Sequence, residues 1–344
     1  MHPKLFHIPG TPLTVWSYGT MMVIAFLAAV YVIRRLSRDI TPDPQLITNA
    51  SLYALIAGVF GARLFYVIHY FDRFRDNLVS VFYIWQGGLE LLGGVILAIA
   101  VIFAYLLYHK LPVRRYLDVL AIGLMVALAF GRIGCFLRGC CFGRPTDVPW
   151  AVRFPYASDS YYNQIYPNPK RNRPEAYLKL PPEFFGYKDS KGKWVQSPDG
   201  TLKPFELLTP EQKRLVTQGP YRCLPVHPTE LYSSLNGAIL AFLLYLFWRR
   251  QRRAEKTGNA KKVFAKPGCT FALMFMLYGC ARFLIEFLRD DNPFEYGWWA
   301  IYKGGTISQN LGIYLVILGA TLLVIFQRLK PDTPPCKATP DKNE

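Results

Sequence analysis

The sequence predicts an all-α polytopic membrane protein, with about seven transmembrane helices and an external head inserted between the fourth and fifth. Three observations lead there. Of 344 residues, 52% are hydrophobic and only 18% charged, and the mean hydropathy is +0.15. The apolar residues come in blocks of about 18–22, the length that crosses a bilayer. The basic residues, which set a net charge of +17, flank these blocks. A basic total can serve nucleic acid or anionic lipid. Basic loops beside apolar blocks favour membrane topology and argue against nucleic acid.

The first segment, "MHPKLFHIPGTPLTVWSYG", lacks a basic start, an apolar core and a small-residue cleavage site, so no signal peptide is expected. The first apolar block, near 18–34, should therefore remain as a span. Further spans are expected near 50–70, 88–108, 116–136, 228–248, 268–288 and 307–327. Arg34, Arg35 and Arg38 follow the first span, Lys110, Arg114 and Arg115 the third, "WRRQRRAEKTGNAKK" the fifth, and Arg328, Lys330 and Lys337 the seventh. The opposite short segments carry few basic residues. This alternation places the N-terminus outside and the C-terminus in the cytoplasm. Trp248, Trp298 and Trp299 suit anchoring at the interface. The expected division is 1–149 (spans one to four), 150–226 (external head, rich in Tyr, Pro, Asn and Lys), 227–330 (spans five to seven) and 331–344 (disordered cytoplasmic tail).

Charged groups inside spans are costly and mark function by default. Arg63 lies in "GVFGARLFYVIHY", where snorkelling to the interface is the competing reading. Arg132 closes span four. Arg282 and Glu286 in "YGCARFLIEFLRDD" stand four residues apart on one helical face, where they can simply pair. His227 and Glu230 in "HPTELY" open span five, where an interface cap is equally served. All six map to the outer half of the membrane, and a shared polar cavity accounts for both signs and a histidine at one level. Several guanidiniums there suit a phosphate. The ligand expected is an anionic phospholipid headgroup entering from the bilayer. Gly87, Gly88, Gly93 and Gly94 in "QGGLELLGG" fit close helix packing better than direct ligand contact.

Seven cysteines occur, three of them in "GRIGCFLRGCCFGRPTDVPW". Cys135, Cys140 and Cys141 lack the paired spacing of zinc sites, so no metal ligand and no cofactor is expected. A disulfide between Cys223 and Cys140 or Cys141 stands beside simple packing as a reading.

"GRIGCFLRGCCFGRPTDVPWAVRFP" resembles the signature of bacterial prolipoprotein diacylglyceryl transferases, G-R-x-G-N-F-x-N-x-E-x-x-G. "WSYGTMMVIAF", "GARLFYVIHY", "WQGGLELLGG", "HPTELY", "YGCARFLIEFLRDD" and "TISQ" resemble further family elements, in family order. The resemblance implies an inner-membrane enzyme with seven spans and a periplasmic head. Such an enzyme moves the diacylglyceryl group of phosphatidylglycerol onto the lipobox cysteine of a preprolipoprotein, forming a thioether and releasing glycerol phosphate. Its partners would be phosphatidylglycerol, lipobox peptides and the bilayer.

On this resemblance, Arg132, Arg282, Glu286 and His227 are the catalytic candidates. Tyr18, Arg63, Gly87, Gly88, Gly134, Cys135, Gly143, Arg144, Glu230, Tyr232, Arg289 and Gln309 are the substrate-binding candidates. Cys135, Arg138 and Cys140 replace the signature's two asparagines and glutamate, and Leu92 replaces a histidine that many members carry. Electrostatic catalysis by Arg132 and Arg282 is therefore expected. The alternative is an altered or inactive relative that binds anionic phospholipid.

Overall fold

The computed structural model describes residues 4–7, 14–41, 43, 45–75, 77–83, 87–189, 193–197, 200–257 and 266–329. The tail, with Lys330, Cys336 and Lys337, lies outside the described residues. In chain order the elements are β1 (Lys4–His7), β2 (Thr14–Trp16), α1 (Ser17–Ser37), α2 (Gln45–His69), α3 (Leu91–Tyr108), α4 (Val113–Arg138) and α5 (Asp159–Ile165). There follow β3 (Phe185–Lys188), β4 (Trp194–Gln196), β5 (Thr201–Leu202), α6 (Pro210–Thr217), α7 (Thr229–Lys256), α8 (Cys269–Glu286) and α9 (Ile307–Arg328). Among the described residues, six helices are long and apolar enough to cross a membrane, and α3 is a shorter apolar helix. It starts at Leu91 rather than near 88 because Gly87 and Gly88 take positive φ of 89° and 75°, which no α-helix accommodates. Large apolar residues such as Leu27, Phe60, Phe242 and Leu284 stay exposed on these helices, as a protein dissolved in lipid requires.

The chain divides into two compact units. The first comprises Met1–Phe26, Met125–Leu243 and Leu273–Thr321. Here β1 and β2 form an antiparallel pair, and described residues between 154 and 226, within the stretch expected as the head, share a core. The head has its own core of Phe154, Tyr161, Phe184, Leu208, Val216 and Val226, joined by Phe142 from the signature segment. A three-stranded antiparallel sheet, β4-β3-β5, covers part of it. The opening turn of α7 is tied to α4 where Ser234 Oγ donates to the Ala129 carbonyl at 2.8 Å.

The second unit comprises Leu27–Leu124, Leu244–Ala272 and Leu322–Glu344. In it α2 and α3 pack backbone to backbone. A Cβ on Gly61 would stand 2.6 Å from the Gly93 carbonyl oxygen, so only glycine allows that approach. Asp118, a buried acid in α4 that sequence reasoning passed over, accepts from the backbone N–H of Gly268 at 2.8 Å and of Phe271 at 3.0 Å. It caps the start of α8, where the helix dipole favours a carboxylate. The "WRRQRRAEK" tract continues α7 past residue 248, because Gln251 faces inward to Asp118 and to Thr270. This also corrects the expectation for Trp248. It is only 4% exposed and packs beside Tyr245, whereas Trp298 is 95% exposed.

Arg63, Gly87 and Gly88 form a group of their own in this unit. The Arg63 guanidinium donates to the carbonyls of Val81 (Nε, 2.8 Å), Gly87 and Gly88 (Nη1, 2.8 and 2.9 Å) and Ser80 (Nη2, 2.8 Å). Four of its five donors are thus spent on backbone oxygens. In this structure Arg63 holds the turn before α3. Snorkelling is excluded, since the side chain is buried.

Candidate active site

The site of the first unit grows from the end of α4. Gly139, at φ +86°, stops the helix, and its N–H and that of Cys140 both return to the Cys135 carbonyl at 2.9 and 3.2 Å. This is the left-handed helix ending that glycine serves. Cys141 follows at φ +68°, so the chain curls back over its own last turn. The Sγ atoms of Cys135, Cys140 and Cys141 then lie within 4.8 Å of one another. The linear spacing gave no sign of this, because the folding back happens after the helix ends. All six described cysteines are free thiols, and Cys223 belongs to the head core, so the disulfide considered from sequence is absent among them.

The Cys140 thiol donates to the Cys135 carbonyl at 3.7 Å. The neighbouring thiols of Cys135 and Cys140, then the guanidiniums of Arg289 and Arg132, hold the Cys141 thiol below the ordinary thiol range, against the effect of burial. Its hydrogen-bonded neighbours Cys135 and Cys141 push the Cys140 thiol up.

Beyond the cysteines, the signature segment is threaded between two other strands of chain. Gly143 N–H donates to the His227 carbonyl at 3.1 Å, Arg144 N–H to the Leu288 carbonyl at 2.8 Å, and His227 N–H to the Arg144 carbonyl at 3.1 Å. Gly143 also bridges Arg289. A Cβ at Gly143 would come within 2.5 Å of the His227 oxygen and 2.9 Å of the Leu288 oxygen. Gly143 is thus required by close packing of backbone. Gly134 serves a milder version of the same need, facing Met21 and Tyr18 of α1. Tyr18 is partly exposed and lies beside the Arg138 guanidinium, 6.0 Å from ring centre to charge.

Glu286 is the hub of the far wall. It is buried, and its carboxylate lies 2.6 Å from Arg282 Nη1 and 3.5 Å from Arg289 Nε. It also accepts from Asn292 Nδ2 and from Thr306 Oγ1 at 2.9 Å. Arg282 donates in turn to Ser308 Oγ, and Arg289 forms a two-pronged pair with Asp291. Burial opposes the Arg289 charge, but the Asp291 carboxylate outweighs it and raises the guanidinium above its ordinary range. Gln309, expected to touch substrate, instead accepts from Thr306 N–H at 2.9 Å while Thr306 Oγ1 accepts from Gln309 N–H. This reciprocal cap starts α9 and aims the Thr306 hydroxyl at Glu286.

Arg171 of the head reaches this wall, and sequence reasoning missed it. It donates to the carbonyls of Arg289 (2.7 Å) and Asn292 (2.6 Å), and its Nε lies 3.5 Å from Asp290. Asn163 adds a 2.7 Å bond to Asp290. Burial pulls the Arg171 guanidinium below its ordinary range, the carboxylate of Asp290 opposing. The local signal is the basic run "PKRNRPE", whose partners lie more than a hundred residues further along the chain.

At the base of α7, Trp150 Nε1 donates to the Tyr232 hydroxyl at 2.6 Å, which pairs with His227 Nδ1 at 3.3 Å. Thr229 Oγ1 donates to the Cys141 carbonyl at 2.8 Å. Glu230 is 0% exposed, and neither carboxylate oxygen has a hydrogen-bond partner among the described residues. It sits within electrostatic reach of Cys141 and Arg289. Arg144 is exposed. Arg132, half-buried one turn before Cys135, is within electrostatic reach of Arg282 and Cys141. Its guanidinium has no hydrogen-bond or ion-pair partner among the described residues. The first unit therefore brings together every predicted site residue except Arg63, Gly87 and Gly88. Leu92 is 61% exposed on α3 and offers no proton chemistry.

In this polytopic membrane protein the guanidiniums of Arg282 and Arg289 are held on one buried carboxylate, with Arg132 within electrostatic reach, an arrangement suited to an anionic group. The comparisons carry this to a family. Residues 3–325 match the family described as prolipoprotein diacylglyceryl transferase, and the chain belongs to it. The phosphatidylglycerol–prolipoprotein diacylglyceryl transferase of Burkholderia lata is 30% identical over 325 residues, covering 91% of each chain. Those of Clostridium tetani and Idiomarina loihiensis are 28% and 27% identical. They cover 85% and 96% of this chain, and 86% and 94% of their own lengths.

Proposed function

We propose that the protein transfers the diacylglyceryl group of phosphatidylglycerol to the lipobox cysteine thiol of preprolipoproteins at the bacterial inner membrane. The observation that carries this is the uncommitted guanidinium of Arg132 beside Arg282 and Arg289. An unpaired, half-buried cation is a site waiting for an anion, and a guanidinium fork matches a phosphate. The acceptor sulfur attacks the glyceryl carbon bonded to the phosphate oxygen. The carbon–oxygen bond breaks, a thioether forms, and glycerol phosphate leaves with the electron pair. Arg132 and Arg282 neutralise the charge that grows on the leaving group. Glu286, engaged by four side chains, orients Arg282 and Arg289 and is not free to act as a base. The thiol's proton goes to His227 or to water. Arg289, Arg144, Tyr18 and Tyr232 line the substrate region, and Arg63, Gly87 and Gly88 shape the turn before α3.

In this reading the head and both ends of the site face outward, the N-terminus lies outside and the C-terminus in the cytoplasm. Basic segments after α1, α3 and α7 support that orientation. The test is expression in cells depleted of their own transferase. A diacylglyceryl mass addition on a lipobox peptide is the result expected. Its absence with well-folded protein would return the altered lipid-binding relative as the better reading.

A further inference from the structure

We propose that Cys135, Cys140 and Cys141 form a three-thiolate zinc site whose open fourth position takes the acceptor thiol of the incoming lipobox peptide. Three thiol sulfurs within 4.8 Å need to close by about 1 Å to reach the roughly 3.8 Å separation set by zinc–sulfur bonds of about 2.3 Å in a tetrahedron. The ligands sit on a helix end fixed by Gly139 and pinned by Thr229, so little ordering remains to be done on binding. A thiolate set selects a soft d10 cation over calcium, magnesium or manganese.

Glu230 is completely buried beside this turn, and neither carboxylate oxygen has a hydrogen-bond partner among the described residues. It lies within electrostatic reach of Cys141. Three thiolates with one zinc(II) carry a net charge of −1, and the guanidiniums of Arg132 and Arg289 lie within electrostatic reach of Cys141.

Three protein ligands leave a fourth place, as catalytic rather than structural zinc sites do. This inference rests on the function proposed above and supplies a role that Leu92 cannot fill. On binding, the acceptor thiol would displace the water in the fourth position and give its proton to His227 or to water, as in the function proposed above, and its sulfur would be held on the metal as thiolate. Arg132 stands one turn from Cys135, so this thiolate is delivered next to the phosphate being expelled. The sulfur then forms its bond to the glyceryl carbon, leaves the metal as a neutral thioether, and water returns.

The test uses the full-length protein purified under reducing conditions in lipid nanodiscs. Elemental analysis should find one zinc per chain. Cobalt(II) substitution should give the intense thiolate-to-metal absorption and the visible bands of tetrahedral coordination. Cys135→Ser, Cys140→Ser and Cys141→Ser should each weaken zinc at least about tenfold, with Cys280→Ser unchanged. Glu230→Gln should weaken zinc more mildly. Adding a lipobox peptide should shift the cobalt bands, and the same peptide with serine for its cysteine should not. Folded, reduced wild-type protein that binds neither metal would overturn the site, as would a disulfide among the three cysteines or copper in place of zinc. Metal binding with no response to the thiol peptide would overturn the open position. Metal binding with the peptide response, but no lipid transfer in the depleted cells, would instead count against the proposed function alone.

Discussion

Arg282 and Glu286 stand one helical turn apart, with Nη1 2.6 Å from the carboxylate, and the acid rather than the arginine holds the greater number of partners. Glu286→Gln keeps the shape and removes the charge. Breaking one side of a buried pair costs on the order of 3 kcal/mol. The expected outcome is a lowered thermal midpoint together with a loss of turnover, read by a melt in detergent and a lipid-transfer assay. Unchanged stability would mean that the carboxylate is not the hub described.

Arg132 separates chemistry from folding because nothing in the protein depends on its guanidinium. Arg132→Ala should leave the thermal midpoint within a few degrees and lower kcat by at least about a hundredfold, the scale of losing one preorganised donor to a developing negative charge. Arg132→Lys should recover only part, since the fork is lost. Full activity in Arg132→Ala would rule out the phosphate site.

Gly143→Ala places a methyl group against two backbone oxygens that cannot rotate away. The variant should fail to accumulate or should melt early. Gly19→Ala, in the same unit with nothing within 4 Å, should be tolerated and gain up to about 1 kcal/mol of helix propensity. Equal behaviour of the two would contradict the threading of the signature segment.

Cys141 carries a pH prediction. Its thiol is held below the ordinary range, so the thiolate persists as pH falls through the region near 8.5 where a free cysteine protonates. In metal-free protein, the rate of Cys141 alkylation should stay high below that pH and fall only further down. A midpoint at or above that of free cysteine, measured by peptide mass spectrometry, would show that the neighbouring thiols and guanidiniums do not lower it.

Much of this arrangement was legible in the residue order, and the rest was lost for identifiable reasons. Long apolar blocks located the helices, because lipid admits little else. The i, i+4 spacing placed Arg282 and Glu286 on one face. The backbone contacts of Arg63 were not legible because hydropathy reports depth and says nothing of four carbonyls converging from residues 80–88. The capping bonds of Gln309 were not legible because a cap and a ligand contact use the same residue type. The cysteine cluster was invisible because Gly139 and the left-handed Cys141 fold the chain back after the helix has ended. Arg171 and Asp118 were passed over because their partners lie 118 to 153 positions away, beyond any local pattern.

The clasp by Arg171 sets an order of construction. Its two carbonyl partners arrive 118 and 121 residues later in synthesis than Arg171 itself. The contact that ties the head to the segment bearing Arg289 is therefore complete only after α8 and the residues that follow it have been made.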